Sequence, residues 1–184
     1  MAFPAFLDTC VLYPAHLCDT LLRLAEAQTF RPLWSDDVLV ELERNLVENA
    51  GLREQQVRHR IDEMRRAFDD ATVTGYHELT GAMTCDEKDR HVLAAAVRAN
   101  TAVLVTANRR DFPPSSVDPY NIRVLHPDDF LLDQVDLYPE VVVRSLRKQA
   151  EAMRNPPLTL DTLLDALARC GVPDFAARVR TLVE

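Results

Sequence analysis

Over its first 126 residues this sequence alternates short apolar runs with longer segments whose apolar residues recur every three or four positions; after residue 126 the alternation stops. Alternation of that kind inserts a helix between successive strands, so the strands run parallel and the helices cover both faces of the sheet. The expected fold class is α/β over residues 1–126, followed by an all-helical extension over residues 127–184.

Residues 3–7 read as a short buried strand ending at Asp8, and residues 16–28 put Leu17, Leu21, Leu24 and Ala25 at helical spacing. A brief apolar stretch, Pro32 to Trp34, runs into Ser35-Asp36-Asp37, a cap with two first-turn acids that opens a helix bearing Val38, Leu39, Leu42 and Leu46. Asn49 to Gly51 closes it. Residues 53–69 form a charged helix with Val57, Ile61, Met64 and Phe68 inward and its arginines outward. Ala71–Thr74 is a strand, Asp86 caps a helix over 87–99, and Ala102–Val105 and Ile122–Leu125 are further strands. The extension carries helices over Asp128–Asp133, Pro139–Met153, Thr159–Cys170 and Asp174–Val183, broken by Pro156-Pro157 and stopped at Gly171.

The net charge of −8 is the wrong sign for holding nucleic acid by bulk electrostatics, so any such contact is local or assisted by a cation. Cys10, Cys18, Cys85 and Cys170 form no C-x-x-C pair, which argues against a zinc knuckle or disulfide scaffold and for reduced, mostly buried thiols. The longest apolar runs are about six residues, short of the roughly 18 that a membrane span needs, and the N-terminus lacks a charged segment followed by an apolar one. No membrane partner and a cytoplasmic location are expected.

In an open parallel sheet, ligands gather beyond the carboxyl ends of the strands. Asp8 lies there after the first strand, and Asp111 lies in the loop after Val105, within T-A-N-R-R-D. Asp89 precedes Val92 and Leu93 by three and four positions and shares the inward face of its helix; Glu41 follows Val38 by three and sits at the edge of the buried stripe, whereas Glu43 and Glu48 project outward. An all-oxygen donor set suits a hard cation that keeps several waters, Mg²⁺ or Mn²⁺, and without one the clustered carboxylates repel. Each acid also has an ordinary structural reading: Asp8 as a helix cap, Glu41 paired with Arg44, Asp111 starting a turn before Pro113-Pro114. The five histidines receive no role. Arg109 and Arg110 flank Asp111 and are candidates for holding phosphates, whereas Arg53, Arg58, Arg60, Arg65 and Arg66 interleave with acids as a solvated face.

FLDTCVLYP around Asp8, WSDDVLVEL around Glu41, DEKDRHVLAAA around Asp89 and VTANRRDFP around Asp111 stand in an order and spacing that resemble the PIN-domain ribonucleases over residues 3–126. The resemblance is strongest to the VapC-type toxins of bacterial toxin-antitoxin systems, including a subset with an added C-terminal helical region. It implies a PIN-like central parallel sheet of about five strands flanked by helices. It also implies a metal-dependent endoribonuclease with Asp8, Glu41, Asp89 and Asp111 catalytic, and with Asp8, Asp89 and Asp111 on Mg²⁺ or Mn²⁺. Thr106 and Asn108 would support them, and counting back from V-L-A-A-A favours Asp89 over Asp86 as the ligand. RNA would be the substrate, leaving 5′ phosphate and 3′ hydroxyl ends, with a cognate antitoxin as partner and a homodimer that uses helix 53–69 as one contact surface. Two other readings compete: an idle PIN scaffold serving as an interaction module, and an aspartate-dependent phosphatase built on Asp8. The second needs a lysine near a later strand end, and the sequence offers only Lys88 and Lys148, both in predicted helices.

Overall fold

The computed structural model describes residues 2–154 and 156–183. The chain begins β1 (Pro4–Leu7), α1 (Thr9–Leu12), α2 (Ala15–Glu26), β2 (Arg31–Ser35), α3 (Asp36–Glu48), α4 (Glu54–Ala67), β3 (Thr72–Val73) and α5 (His77–Thr80). A 3₁₀ turn at Glu87–Asp89 leads into α6 (Arg90–Arg98) and β4 (Val103–Val105). A second 3₁₀ turn at Arg109–Asp111 and α7 (Pro114–Val117) lead to β5 (Arg123–Leu125). The extension then runs α8 (Pro127–Leu137), α9 (Pro139–Ala152), α10 (Leu160–Arg169) and α11 (Pro173–Val183).

The five strands form one parallel sheet in the order β3-β2-β1-β4-β5. Central β1 is flanked on both sides, and Ala5, Phe6 and Leu7 are wholly buried, which is why it reads as an unbroken apolar run. The strand order reverses between β1 and β4, so a crevice opens beyond their carboxyl ends. Ser35 serves two elements: it ends β2 and its hydroxyl accepts from the Val38 N–H at 3.2 Å, capping α3.

The extension packs back on the α/β part through α2 and the loop after it. Phe30 and Phe130 meet edge to face with ring centroids 5.0 Å apart. The Thr20 hydroxyl donates to Gln149 Oε1 at 2.8 Å in buried surroundings, while Gln149 Nε2 donates to the His16 carbonyl at 3.0 Å in partly buried ones. Buried Asp128 on α8 accepts from the Asp174 and Phe175 N–H groups at 3.1 and 2.8 Å, so its carboxylate satisfies the open N-terminus of α11. The buried apolar residues on both sides of residue 126 form one continuous cluster.

Several local expectations change. The helix expected over 16–28 stops at Glu26 because Gln28 takes a left-handed φ of 61°. The helix expected over 87–99 starts as a 3₁₀ turn, whose cap is Asp86 accepting from Lys88 N–H. Helix α8 runs on to Leu137 rather than ending at Asp133, since Gln134 is buried and continues the inward stripe despite its polar side chain. The arginines of α4 do not all face outward: Arg60 donates to the Leu12 carbonyl and is half-buried. Among the described residues no helix is long and apolar enough to cross a membrane.

Candidate active site

Asp8 leaves β1 directly beside β4, its N–H donating to the Val105 carbonyl at 3.1 Å. Its side chain is 5% exposed and fully engaged. Oδ1 accepts from the Thr9 N–H at 2.7 Å; Oδ2 accepts from the Thr106 hydroxyl at 2.7 Å and from the Cys10 thiol at 3.3 Å. Asp8 is thus also the cap of short helix α1, so its structural and chemical readings coexist in one side chain. Thr106 is positioned in turn by the Asn108 N–H, which donates to its hydroxyl at 3.0 Å. Cys10 departs from the expectation of inert burial: its sulfur also accepts from the Ala107 N–H at 3.2 Å, tying α1 to the loop after β4. Burial and the charge of Asp8 push its thiol up to about 12, so it stays protonated and available as a donor.

Glu41 reaches the same crevice from α3, where its Oε2 accepts from the Thr9 hydroxyl at 2.9 Å, and it makes no ion pair with Arg44 among the described residues. Asp89 enters at the start of α6 with Oδ2 buried and without a hydrogen-bond partner. Asp8, Glu41 and Asp89 line one cleft of about 810 Å³, joined by Lys88, Asn108 and Arg44. Asp111 does not line it; its carboxylate lies 3.5 Å from the Lys88 ammonium, and its carbonyl accepts from the Asp86 N–H at 3.0 Å.

Lys88 is therefore placed otherwise than its predicted helix implied: it stands at the cleft between Asp89 and Asp111. From the sequence, Lys88 enters only as the lysine of a phosphatase and Arg44 only as a partner of Glu41, and Tyr13 and Cys10 receive no site role; their signal was proximity in sequence to Asp8, Asp89 and Glu41. Arg109, by contrast, is spent on an ion pair with Asp129 at 3.2 Å, and Arg110 is exposed; neither lines the cleft.

Among the described residues no three His, Cys, Asp or Glu side chains stand close enough to hold one ion as they are arranged. Of the four acids expected at the site, Asp8, Glu41 and Asp89 line one cleft, while Asp111 is turned to Lys88. The physical reason is like-charge repulsion: each of Asp8, Glu41 and Asp111 has settled on its own donor, and Asp89 has none.

The electrostatics record that repulsion. Burial lifts the Asp8 carboxyl above the usual carboxylate range and the charge of Glu41 adds to it, against the opposing hydrogen bonds from Thr106, Cys10 and Thr9. Burial, then the charge of Asp8, pushes Asp89 up to about 7, with Lys88 opposing. Folded Asp89 thus holds a proton that the unfolded chain gives up near 3.8. Stability from this group is fully present below about pH 4 and is lost as pH rises through about 7. Because the side chain is partly exposed, the effect is discounted to about 1 kcal/mol, or about 2–4 °C. Calorimetry without divalent ions is expected to give a melting temperature that falls from pH 5 to pH 8 by about that much more in the parent than in Asp89→Asn. Equal pH slopes for the two proteins would overturn this assignment.

The family model described as PIN domain matches residues 4–110, and that described as VapC50 C-terminal domain matches residues 127–181. The protein named Putative ribonuclease VapC50 of Mycobacterium tuberculosis is 51% identical over 108 residues, covering 59% of this chain and 63% of its own length. The chain thus aligns with less than two thirds of that relative. No solved structure matches. With the sheet, the crevice at the β1/β4 reversal and the family match over more than half its length, the chain belongs to the PIN-domain family and carries the C-terminal domain defined for VapC50.

Proposed function

We propose that this protein is a divalent-cation-dependent endoribonuclease of the VapC type, the toxin of a toxin-antitoxin pair. The observation that carries this is the buried, unpartnered Oδ2 of Asp89 facing a cleft with two further carboxylates, one of them desolvated. An orphaned buried carboxylate oxygen costs free energy unless a cation or proton meets it. All-oxygen donors fit a hard cation, Mg²⁺ or Mn²⁺, better than a soft one. Asp8 and Asp89 would hold it, Asp111 would join on release from Lys88, and Glu41 would face the substrate side. When bound, such a cation supplies charge to the scissile phosphate and acidifies water.

The chain's own residues do the rest. Thr106 and Cys10 orient the Asp8 Oδ2 and oppose the rise that burial imposes on that carboxyl. Thr9 aims Glu41 into the cleft, where its carboxylate can accept a proton from attacking water. Lys88 shields Asp111 from Asp89, so the acids tolerate each other before any cation arrives. A phosphatase built on Asp8 is disfavoured, since both Asp8 oxygens are occupied as acceptors and the side chain is almost wholly buried, a poor state for an attacking nucleophile.

The test uses purified protein on total RNA, with 5′ ends sequenced after incubation. Cleavage at defined sites is expected with Mg²⁺ or Mn²⁺ and none in excess chelator. Expression without an antitoxin should arrest growth. RNA left intact under every cation condition would reject the nuclease reading.

A further inference from the structure

The cleft does not end at the carboxylates. It continues along α3, where Val40, Arg44, Asn45 and Asn49 line it, and Tyr13 joins them from the end of α1. Positions 41, 45 and 49 repeat at i, i+4 and i+8, so the face that delivers Glu41 to the acids presents amides further along the same groove. Arg58 pairs with Glu43 and Arg65 with Asp36, whereas Arg44 lines the cleft, is exposed and, among the described residues, makes no ion pair. Val40 is 63% exposed, an apolar side chain held in water at the lip of the groove.

We propose that this wall seats and reads one unpaired ribonucleotide next to the scissile phosphate; the inference rests on the nuclease reading above and names how that site chooses its RNA. Arg44 adds positive charge on the α3 side of the cleft, away from Lys88, placing a phosphate beside the acids rather than on them. Tyr13 and Val40 offer a flat aromatic and an apolar surface against which a base can rest. Asn45 pairs an amide donor with an acceptor, the chemistry that reads the Watson–Crick edge, and that edge is free only in an unpaired base. The wall therefore selects single-stranded segments and contributes base preference.

The experiment measures binding, not turnover. Asp8→Asn protein without divalent ions is titrated against a fluorescein-labelled unpaired RNA of about 12 nucleotides, and against the same strand in duplex, by anisotropy at several salt concentrations. Adding Arg44→Ala is expected to weaken binding to the unpaired strand about tenfold and to lower the slope of log K against log salt by about 0.7. Tyr13→Ala should weaken it about tenfold while Tyr13→Phe restores it. Asn45→Ala should flatten the differences among RNAs that vary at a single base. Unchanged affinity and slope in Arg44→Ala, duplex bound as tightly as the single strand, or no measurable binding at low salt would each overturn the proposal. Failure of the nuclease reading shows separately, as intact RNA with unsubstituted protein and Mg²⁺.

Discussion

Asp8→Asn is expected to lower RNA cleavage about a hundredfold or more while leaving the fold intact, with a melting temperature equal to or above that of the parent. The carboxylate is the most constrained acid of the cleft, with donors on both oxygens and 5% exposure. Asparagine has the same shape and keeps one oxygen for the Thr9 N–H. Its amide nitrogen then faces the Thr106 hydroxyl and the Cys10 sulfur, which can turn from donor to acceptor. What disappears is a desolvated negative charge, whose removal relieves strain on Asp89 and deprives a cation of its fixed ligand. Stability and activity should therefore move in opposite directions, a pattern that a structural role for Asp8 does not produce. The check pairs a cleavage assay with calorimetric titration of Mg²⁺ or Mn²⁺; Asp36→Asn, an acid paired with Arg65 outside the cleft, serves as the control. Cleavage by Asp8→Asn at the parent rate would overturn the site assignment.

The second large effect is expected in the extension. A chain ending at residue 126 should be insoluble or lack a cooperative melting transition, because Phe30 loses Phe130, and Thr20 and the His16 carbonyl lose the buried Gln149 amide. A graded version of the same test is Asp128→Ala. It removes a buried carboxylate that accepts two N–H groups at the start of α11 and leaves both donors without a partner. The cost is about 3 kcal/mol, or about 10 °C in melting temperature. Asp128→Asn, retaining one acceptor, should lose less. Should the shortened chain melt cooperatively at the parent temperature, the extension is an independent appendage and not part of the core.

The candidate site was partly legible because strand ends and helix faces are local properties. An acid closing an apolar strand lies at the sheet's carboxyl edge whatever the rest does, which is why Asp8 and Asp111 drew attention. Asp89 and Glu41 stood out by their phase against the apolar stripe. Phase alone does not say which donor an acid has chosen. Asp111 shares its face of the molecule with Lys88 and turned to it, and Arg109, next to Asp111 in sequence, was claimed by Asp129 on α8. Such partnerships depend on loops and elements far apart in the chain.

The sequence by itself determined the α/β pattern, the capping of α3 by Ser35, the switch to helices after residue 126 and the identity of the acids, since each follows from side-chain period, capping chemistry and composition over a few neighbouring residues. Only the tertiary structure decided that β1 and β4 are neighbours, that Asp89 is left with an orphaned oxygen, that Arg44 rather than Arg109 faces the cleft, and that α8–α11 share one core with the sheet. The reason is range: backbone periodicity is written locally, whereas desolvation and charge pairing depend on what distant segments bring within a few ångströms.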